Sequence, residues 1–374
     1  MGVPFWLEEA GEPFARRTLD GAVEVAVIGG GVTGCSCALT LASAGRRVRL
    51  YEARELAGGA SGRNGGFGLW GGAMPYDLAR EQLGRARARS YWRMTARYVD
   101  RLAELAGDAF RRVGSLRIAT DAREREELVS EYDALREEGF AVEWHDALEG
   151  RARELFHGAI FHPGDGSLTP GRWIGRLAAR AAEAGAELRE HARVGSLDEL
   201  DADRVVIATD GYTRGLVPEL DGAIRPVRNQ VIVTEPLAER LYPLPYYGRY
   251  GYDYWQQLPD GRLVVGGRRD ADLEAENTGE EALTPAIQES LETLTRELVG
   301  RLPQITHRWP GIFGSTADRM PLAGALPGQE RVWVAAGYSG HGNVLGLACG
   351  DLVARAILGD TAPELELLDP ARIL

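Results

Sequence analysis

The fold of this chain is decided between residues 23 and 34, which read VEVAVIGGGVTG. The first six residues are a β-branched apolar run that ends in glycine, which predicts a buried strand. Residues 32–44 continue with apolar side chains at helical spacing, and Gly45 stands at the expected helix C-cap. A second apolar run over 48–51 completes a βαβ unit with short connections, which indicates a parallel sheet.

The glycines between this strand and helix have the G-x-G-x-x-G spacing of dinucleotide-binding loops. Gly29 permits the tight turn, Gly31 lets the backbone approach a pyrophosphate, and Gly34 lets the helix pack closely on the strand. Glu52 ends the second strand, where a carboxylate accepts hydrogen bonds from ribose hydroxyls. The pattern predicts a dinucleotide site, but the fingerprint alone does not separate FAD from NAD.

A second glycine-rich segment follows at residues 57–72, where eight of the sixteen residues are glycine. A flexible linker would be rich in serine or proline and would not interleave Phe67, Leu69 and Trp70. The segment is therefore predicted to be a loop held against a ligand.

Here the sequence resembles the family of FAD-dependent amino-acid and amine oxidoreductases that includes D-amino-acid oxidase, glycine oxidase and sarcosine oxidase. Residues 58–67, GGASGRNGGF, look most like the gamma-glutamylputrescine oxidase branch. Three later segments strengthen the resemblance, namely HPGDGSLTP at 162–170, VVIATDG at 205–211 and AGYSGHGN at 336–343.

The resemblance implies the two-domain fold of the D-amino-acid oxidase type, α/β with α+β. A Rossmann-like FAD-binding domain would be joined to a substrate domain with a mainly antiparallel sheet. The FAD-binding domain is predicted to be discontinuous, over 1–85, 150–222 and 305–374, and the substrate-binding domain to take 86–149 and 223–304.

The fingerprint and the resemblance together imply a set of cofactor-binding residues. They are Gly29, Gly31, Val32, Thr33, Gly34, Glu52, Ala53, Arg54, Ala60, Ser61, Arg63, Asn64, Gly65, Gly66, Phe67, Val194, Ala208, Thr209, Gly211, Gly337, Ser339, Gly340, His341, Gly342 and Asn343.

The chain also departs from its sarcosine oxidase relatives. Gly311 stands where those relatives attach the flavin through a cysteine, so the resemblance implies FAD that is bound non-covalently. Val264 and Val344 replace two lysines, which in that branch activate oxygen and hold the substrate carboxylate. The electron acceptor therefore stays open between O2 and another molecule.

The chemistry implied is oxidation of the C–N bond of an amine or N-substituted amino acid, by hydride transfer to the flavin, giving an imine that hydrolyses. No protein nucleophile is needed, and the candidate catalytic residues are His341, Arg63 and Tyr252. The aromatic run over 246–255 predicts either a substrate pocket or packing within a sheet. Three arginines are candidates to bind a substrate carboxylate: Arg249, Arg268 and Arg319.

Composition limits the alternatives. The net charge of −12 disfavours nucleic-acid binding and suits a cationic substrate such as an amine. All 43 basic residues are arginine, which excludes a Schiff-base lysine and a P-loop lysine. Cys35 and Cys37 are predicted to be buried, inert thiols, and the histidines lack companions at ligand spacing, so no metal site is predicted.

No apolar run approaches the roughly 20 residues of a membrane span, and residues 1–9 do not read as a secretory signal, so a cytoplasmic protein is predicted. The sequence carries no signal for an oligomeric state. Two other functions stay open: a dehydrogenase that passes electrons to a quinone or carrier protein, and a non-catalytic FAD-binding partner protein. A third alternative, an NAD-dependent dehydrogenase, predicts a colourless protein.

Overall fold

The computed structural model describes residues 3–8 and 17–374, so the prediction made from residues 1–9 falls partly outside it. The strands are β1 Val23–Ile28, β2 Val48–Tyr51, β3 Phe67–Gly68, β4 Phe110–Arg111, β5 Ser115–Ile118, β6 Glu143–His145, β7 Ala159–His162, β8 Gly166–Leu168, β9 Glu187–Arg189, β10 Ala202–Ile207, β11 Arg225–Thr234, β12 Tyr246–Gly248, β13 Asp253–Gln257, β14 Leu263–Gly267, β15 Ile305–Ser315, β16 Leu322–Leu326 and β17 Gln329–Ala336.

The helices are α1 Phe5–Glu8, α2 Val32–Ser43, α3 Tyr76–Leu83, α4 Arg85–Ala106, α5 Ala122–Glu137, α6 Ala152–Leu155, α7 Pro170–Glu183, α8 Leu273–Glu276, α9 Pro285–Val299, α10 Gly342–Leu358 and α11 Leu365–Leu368. Within the described ranges, no helix combines the length and the hydrophobicity that crossing a bilayer requires.

A six-stranded sheet contains the predicted βαβ unit, which is confirmed. Its strand order is β16-β17-β10-β1-β2-β9, and all neighbours are parallel except β16 and β17. The carboxyl ends of the parallel strands meet at one edge, the usual ligand edge of an open α/β sheet. Four predicted cofactor residues follow these strand ends, namely Gly29, Glu52, Ala208 and Gly337.

The second large sheet has eight strands in the order β15-β11-β14-β13-β12-β5-β7-β6, antiparallel except between β12 and β5. A turn at residues 259–261 joins the antiparallel strands β13 and β14. Strand β7 falls in the predicted 150–222 segment and β15 in 305–374, yet both pair within this sheet. The domain bounds stay a prediction.

Helices α3 and α4 are separate, because Gly84 between them has a φ of +78° and ends α3. The buried side chains of α4 include Tyr91, Met94, Tyr98 and Leu102, which recur at spacings of three or four residues and pack in the core. Helix α5 is rich in charged residues, but one side of it is buried, including Leu128, Glu131 and Leu135. The three cysteines are all buried, and burial raises the pKa of the Cys35 and Cys37 thiols, as expected of inert groups.

Candidate cofactor and substrate site

The fingerprint glycines bring β1, α2 and β10 into close contact. Gly29 has a φ of +113°, and a Cβ atom there would lie 2.9 Å from the carbonyl carbon of Ala208. A Cβ atom on Gly34 would overlap the carbonyl oxygen of Gly29 and lie 3.3 Å from Val27. The loop therefore requires glycine at both positions, in agreement with the roles that the spacing predicts.

The start of α2 faces the second glycine-rich segment. The Val32 N–H donates to Ser61 Oγ at 3.0 Å. The N–H groups of Thr33 and Gly34, in the first turn of this 12-residue helix, have no acceptor inside the helix. These donors and the helix dipole make the end of α2 suited to an anion such as a phosphate.

Glu52 is held in place by backbone donors. Its Oε2 accepts the Gly30 N–H at 2.7 Å, and its Oε1 accepts the Arg54 N–H at 2.8 Å. A carboxylate has about four lone-pair sites, so two remain for ligand hydroxyls. Ala53 is exposed beside it, whereas Val194 is buried in the apolar layer against the sheet.

Asn64 and Asn343 join the glycine-rich segment to the start of α10. Asn343 Nδ2 donates to Asn64 Oδ1 at 3.1 Å and to the Phe67 carbonyl at 2.8 Å. Asn64 Oδ1 also accepts the Gly66 N–H at 2.9 Å. Two predicted cofactor segments, 279 residues apart in sequence, thus lie side by side.

The same segment is fixed to the eight-stranded sheet through β13. Gln256 Nε2 donates to the carbonyls of Gly65 and Gly66 at 2.6 and 2.8 Å. The Tyr254 ring packs edge-on against Phe67, with ring centroids 5.6 Å apart. Tyr254 and Gln256 are two residues apart and therefore lie on one face of β13, and this face contacts the glycine-rich segment.

Arg63 is turned toward backbone carbonyls. Its Nε donates to the Gly58 carbonyl at 2.7 Å, its Nη1 donates to the Pro310 carbonyl at 3.3 Å, and its Nη2 lies 3.8 Å from Glu281. Glu281 also pairs with Arg54 at 2.7 Å. Both predicted arginines therefore lie close to Glu281, which is not among the residues selected from the sequence.

Asp210 connects the predicted segments at 205–211 and 336–343 with strand β15. Its Oδ2 accepts the Gly314 N–H and its Oδ1 the Gly337 N–H, both at 2.8 Å. Burial raises its pKa, and the N–H donors offset part of that rise. Asp210 lies inside the predicted VVIATDG motif between Thr209 and Gly211, so the motif located this residue although its role was missed.

The loop before α10 holds His341 at its N-cap position. The Nδ1 atom of His341 is buried without a hydrogen-bond partner among the described residues. Burial lowers the pKa of His341 to about 4, so its ring is neutral at pH 7. The ring packs edge-on against Tyr247, with centroids 5.9 Å apart. Behind the loop, the Tyr338 and Thr33 hydroxyls are hydrogen-bonded at 2.8 Å.

The aromatic run over 246–255 is divided between the two faces of the sheet. Tyr246 and Trp255 stack at 5.3 Å in the apolar core with Tyr242, on the side away from the glycine-rich segment. Tyr247 and Tyr254, by contrast, contact His341 and Phe67. Core packing is thus confirmed for Tyr246 and Trp255, whereas a substrate pocket lined by Tyr247 and Tyr254 stays a prediction.

Two of the three arginines proposed for a substrate carboxylate are already paired within the protein. Arg268 Nε lies 2.8 Å and Arg249 Nη1 lies 3.2 Å from Asp253, and Arg249 also contacts Asp270. Arg319 is exposed and has no carboxylate partner in the described ranges. The ion pairs with Asp253 make Arg249 and Arg268 poor candidates.

Asp165, in the predicted HPGDGSLTP motif, holds the end of the glycine-rich segment. Its Oδ1 accepts the Trp70 N–H at 2.9 Å, and its Oδ2 accepts the Ser115 hydroxyl at 2.6 Å. Asp165 is 2% exposed, and burial raises its pKa to about 7.

This raised pKa predicts a pH-dependent stability. When the pKa of a group is higher in the folded protein than in the unfolded chain, its contribution to the free energy of unfolding is fully present below the pKa of the unfolded chain. That contribution is lost as the pH rises through the folded-state pKa, here about 7. The free energy of unfolding should therefore fall by roughly 1.4 kcal/mol between pH 6 and pH 8 from this group. Asp165→Asn should remove that slope in urea unfolding, whereas Asp121→Asn, at an exposed helix N-cap, should keep it. An unchanged slope in Asp165→Asn would contradict the assignment.

Comparisons with known proteins identify a family and several relatives of this chain. The model of the FAD dependent oxidoreductase family matches residues 24–356. A probable oxidoreductase OrdL from Rhizobium meliloti (strain 1021) is 30% identical over 94% of this chain and 86% of its own length. The gamma-glutamylputrescine oxidoreductase of Escherichia coli (strain K12) is 29% identical over 93% of this chain and 86% of its own.

A solved structure, that of L-proline dehydrogenase from P. horikoshii, has the same fold. Its TM-score is 0.78 at 22% identity, with 95% of this chain and 98% of that chain covered.

Proposed function

Because this chain belongs to the FAD dependent oxidoreductase family, we propose that it oxidises the C–N bond of an amine or amino acid with non-covalently bound FAD. The chain is an FAD-dependent oxidoreductase of the amine and amino-acid type. Hydride removal from the carbon next to nitrogen, and hydrolysis of the resulting imine, are the finer steps of the proposal.

The residues present fit such a cofactor. The first turns of α2 and α10 offer backbone N–H donors that have no acceptor inside either helix. The segments around Gly29, Ser61, Asn64, Asp210 and Asn343 meet at the carboxyl edge of the six-stranded sheet. The buried, unpartnered Nδ1 of His341 provides a further polar group in the loop before α10.

The observation that supports the proposal most directly is the contact between the glycine-rich segment and the β13 face. Gln256 and Tyr254 place the substrate-side sheet directly against residues 65–67. A substrate beside this contact would be positioned next to the predicted cofactor residues by the rings of Tyr247 and Tyr254, and C–N oxidation requires such positioning.

When bound, FAD supplies the acceptor for the hydride equivalent. The N-terminal turn of α10 would hold the cofactor with its backbone N–H groups, and its positive dipole end would stabilise negative charge there. The neutral His341 ring can accept or donate one hydrogen bond but adds no cation at pH 7. Tyr247 and Tyr254 exclude water from the reacting carbon and orient the amine by their ring faces.

Transfer of electrons to a quinone or carrier protein is a second candidate, favoured by one observation. Val264 and Val344 are both buried apolar residues where related oxidases have lysine, and no lysine in the chain could replace them.

The test is the visible spectrum of the purified holoenzyme, recorded without oxygen before and after a panel of amines and amino acids is added. We expect a flavin spectrum that one substrate class bleaches, and a yellow supernatant after acid precipitation because the FAD is not covalently bound. Re-oxidation by O2 compared with a quinone or dye then identifies the acceptor. A flavin that no compound reduces would favour the non-catalytic partner protein, and a colourless protein that FAD cannot reconstitute would overturn the proposal.

A further inference from the structure

Four consecutive carbonyl groups of the glycine-rich segment, in residues 63–66, accept hydrogen bonds from side chains. Trp309 Nε1 donates to the first of these carbonyls at 2.9 Å, Trp6 Nε1 to the second at 2.7 Å, and Gln256 Nε2 to the other two. Trp6 and Trp309 pack in one apolar cluster with Val264. Val264 is paired with Gln256 between β14 and β13, and paired residues lie on the same face of a sheet. All three donors therefore approach the segment from one face of the eight-stranded sheet.

These contacts determine the direction of the N–H groups in the same segment. A trans peptide unit is planar, so its N–H points opposite to its carbonyl, and none of the described peptide bonds is cis. The N–H groups of Asn64 and Gly65, whose peptide carbonyls point to the two indoles, therefore point away from the sheet. The next N–H, that of Gly66, donates to Asn64 Oδ1, which also accepts a hydrogen bond from Asn343 at the start of α10.

The N–H groups of Asn64 and Gly65 have no acceptor in the described part of the chain. Two free donors thus remain on the side of the segment where α10 begins.

Trp6 lies in α1, outside residues 24–356 that the family model matches, and its side chain is 2% exposed. The ring of Phe5 beside it packs edge-on against His307 of β15, with centroids 5.3 Å apart. A Cβ atom on Gly171 would overlap the Trp6 carbonyl oxygen, so the backbone of α1 also contacts α7. Contacts with β15, α7 and the glycine-rich segment thus hold the indole in place.

The two free donors lie at the substrate end of the glycine-rich segment. Ser61, earlier in the segment, accepts the Val32 N–H at the start of α2, the end suited to a phosphate. Gly65 lies instead against the eight-stranded sheet, where a Cβ atom on it would be 2.6 Å from the Tyr254 ring. Within the proposed function the flavin ring belongs at this second end, because it accepts the hydride equivalent from the substrate. N–H donors there stabilise the negative charge that the ring gains on reduction.

We infer that Trp6 is a positioning residue for the flavin. Its indole N–H fixes the Asn64–Gly65 peptide so that the Gly65 N–H faces the ring and stabilises its reduced form. The inference rests on the proposed function for the end of the segment at which the ring lies, and it adds α1 to the cofactor site.

Trp6→Phe tests this role, because phenylalanine keeps the aromatic packing and removes the indole donor. The Asn64 carbonyl then loses its partner, and Gly65 gives the peptide unit the freedom to turn over. A carbonyl oxygen instead of an N–H would face the ring and repel the negative charge of its reduced form. The variant should therefore bind reduced FAD less tightly relative to oxidised FAD.

The measurement is the midpoint potential of the bound flavin, obtained by anaerobic titration of the holoenzyme with dithionite in the presence of a reference dye. Trp6→Phe should lower the preference for reduced over oxidised FAD by roughly tenfold, which is about 30 mV for a two-electron couple. Trp309→Phe frees the peptide that carries the Asn64 N–H, and it should lower the potential as well.

Trp173→Phe is the matched control. Trp173 is also fully buried, but its indole Nε1 has no hydrogen-bond partner among the described residues, so the substitution removes the same bulk and no hydrogen bond. This variant should have the midpoint potential of wild type, even where its free energy of unfolding falls as much as that of Trp6→Phe. An unchanged potential in Trp6→Phe, or a shift of equal size in Trp173→Phe, would overturn the inference. If Trp6→Phe does not retain FAD, Trp309→Phe decides in the same way.

Dithionite reduces the flavin without a substrate, so this test is independent of the substrate panel. If no amine or amino acid reduces the flavin but the potential still depends on Trp6, the proposed function fails and the role of Trp6 stands. If a substrate reduces the flavin and Trp6→Phe keeps the wild-type potential, the proposed function stands and the inference fails.

Discussion

Replacing Gly34 with valine should weaken FAD binding by roughly thirtyfold, the equivalent of about 2 kcal/mol of overpacking. The Cβ atom alone would overlap the carbonyl oxygen of Gly29, which belongs to the backbone and cannot rotate away. Helix α2 must then move away from β1, and its N–H donors move with it. The measurement is a titration of the apoprotein with FAD, followed by flavin fluorescence.

Gly222→Val is the control for this prediction. Nothing lies within 4 Å of a Cβ atom at Gly222, and its φ is not in the left-handed region. This variant should bind FAD as wild type does. Equal affinities for Gly34→Val and wild type would show that the close approach of α2 to β1 does not set the cofactor site.

Asp210→Ala should lower the free energy of unfolding by roughly 2–4 kcal/mol, because it leaves the N–H groups of Gly314 and Gly337 buried without an acceptor. These groups belong to β15 and to the loop before α10, so FAD affinity should fall as well. Asp210→Asn keeps one side-chain oxygen and tolerates the left-handed φ of +45°, and its loss should be smaller.

Urea unfolding of the apoprotein and the holoprotein measures both effects. Asp221→Ala is the matched control, since the exposed Asp221 accepts one N–H, from Gly215 at 2.8 Å, and should cost less than about 1 kcal/mol. A loss in Asp210→Ala no larger than this control would show that the three segments are held together by other contacts.

Local pattern was sufficient to predict the parts of the site that are continuous in sequence. The fingerprint glycines and the carboxylate that ends β2 are separated by one helix, and short connections restrict how such a unit can pack. The motif at 336–343 was located by resemblance. Its hydrogen bond to Asn64 spans 279 residues, and nothing in residue spacing encodes a contact of that range.

Side chains on the substrate side were harder to predict. Tyr246 and Tyr247 are adjacent and chemically alike. Tyr246 nevertheless packs in the apolar core on one face of the eight-stranded sheet, and Tyr247 packs against His341 on the other face. Their direction depends on strand register, which the sheet partners determine. Arg268 and Arg269 are adjacent and equally charged, but Arg268 has a left-handed backbone conformation. An arginine in that conformation has no sequence signature.

The strand order of the six-stranded sheet also determines when the protein can be completed during synthesis. Strand β1 at the N-terminus is flanked by β2 and by β10, and β10 in turn pairs with β17, whose last residue is Ala336. A ribosome must therefore release most of the chain before the sheet can close. The fingerprint at 29–34 leaves the ribosome before β10 and β17, so the predicted nucleotide site is still incomplete at that point. A fold with such long-range strand pairing forms slowly, and its apolar strands are exposed until the pairing is complete. We therefore expect FAD to stabilise this sheet only after β17 has paired with β10.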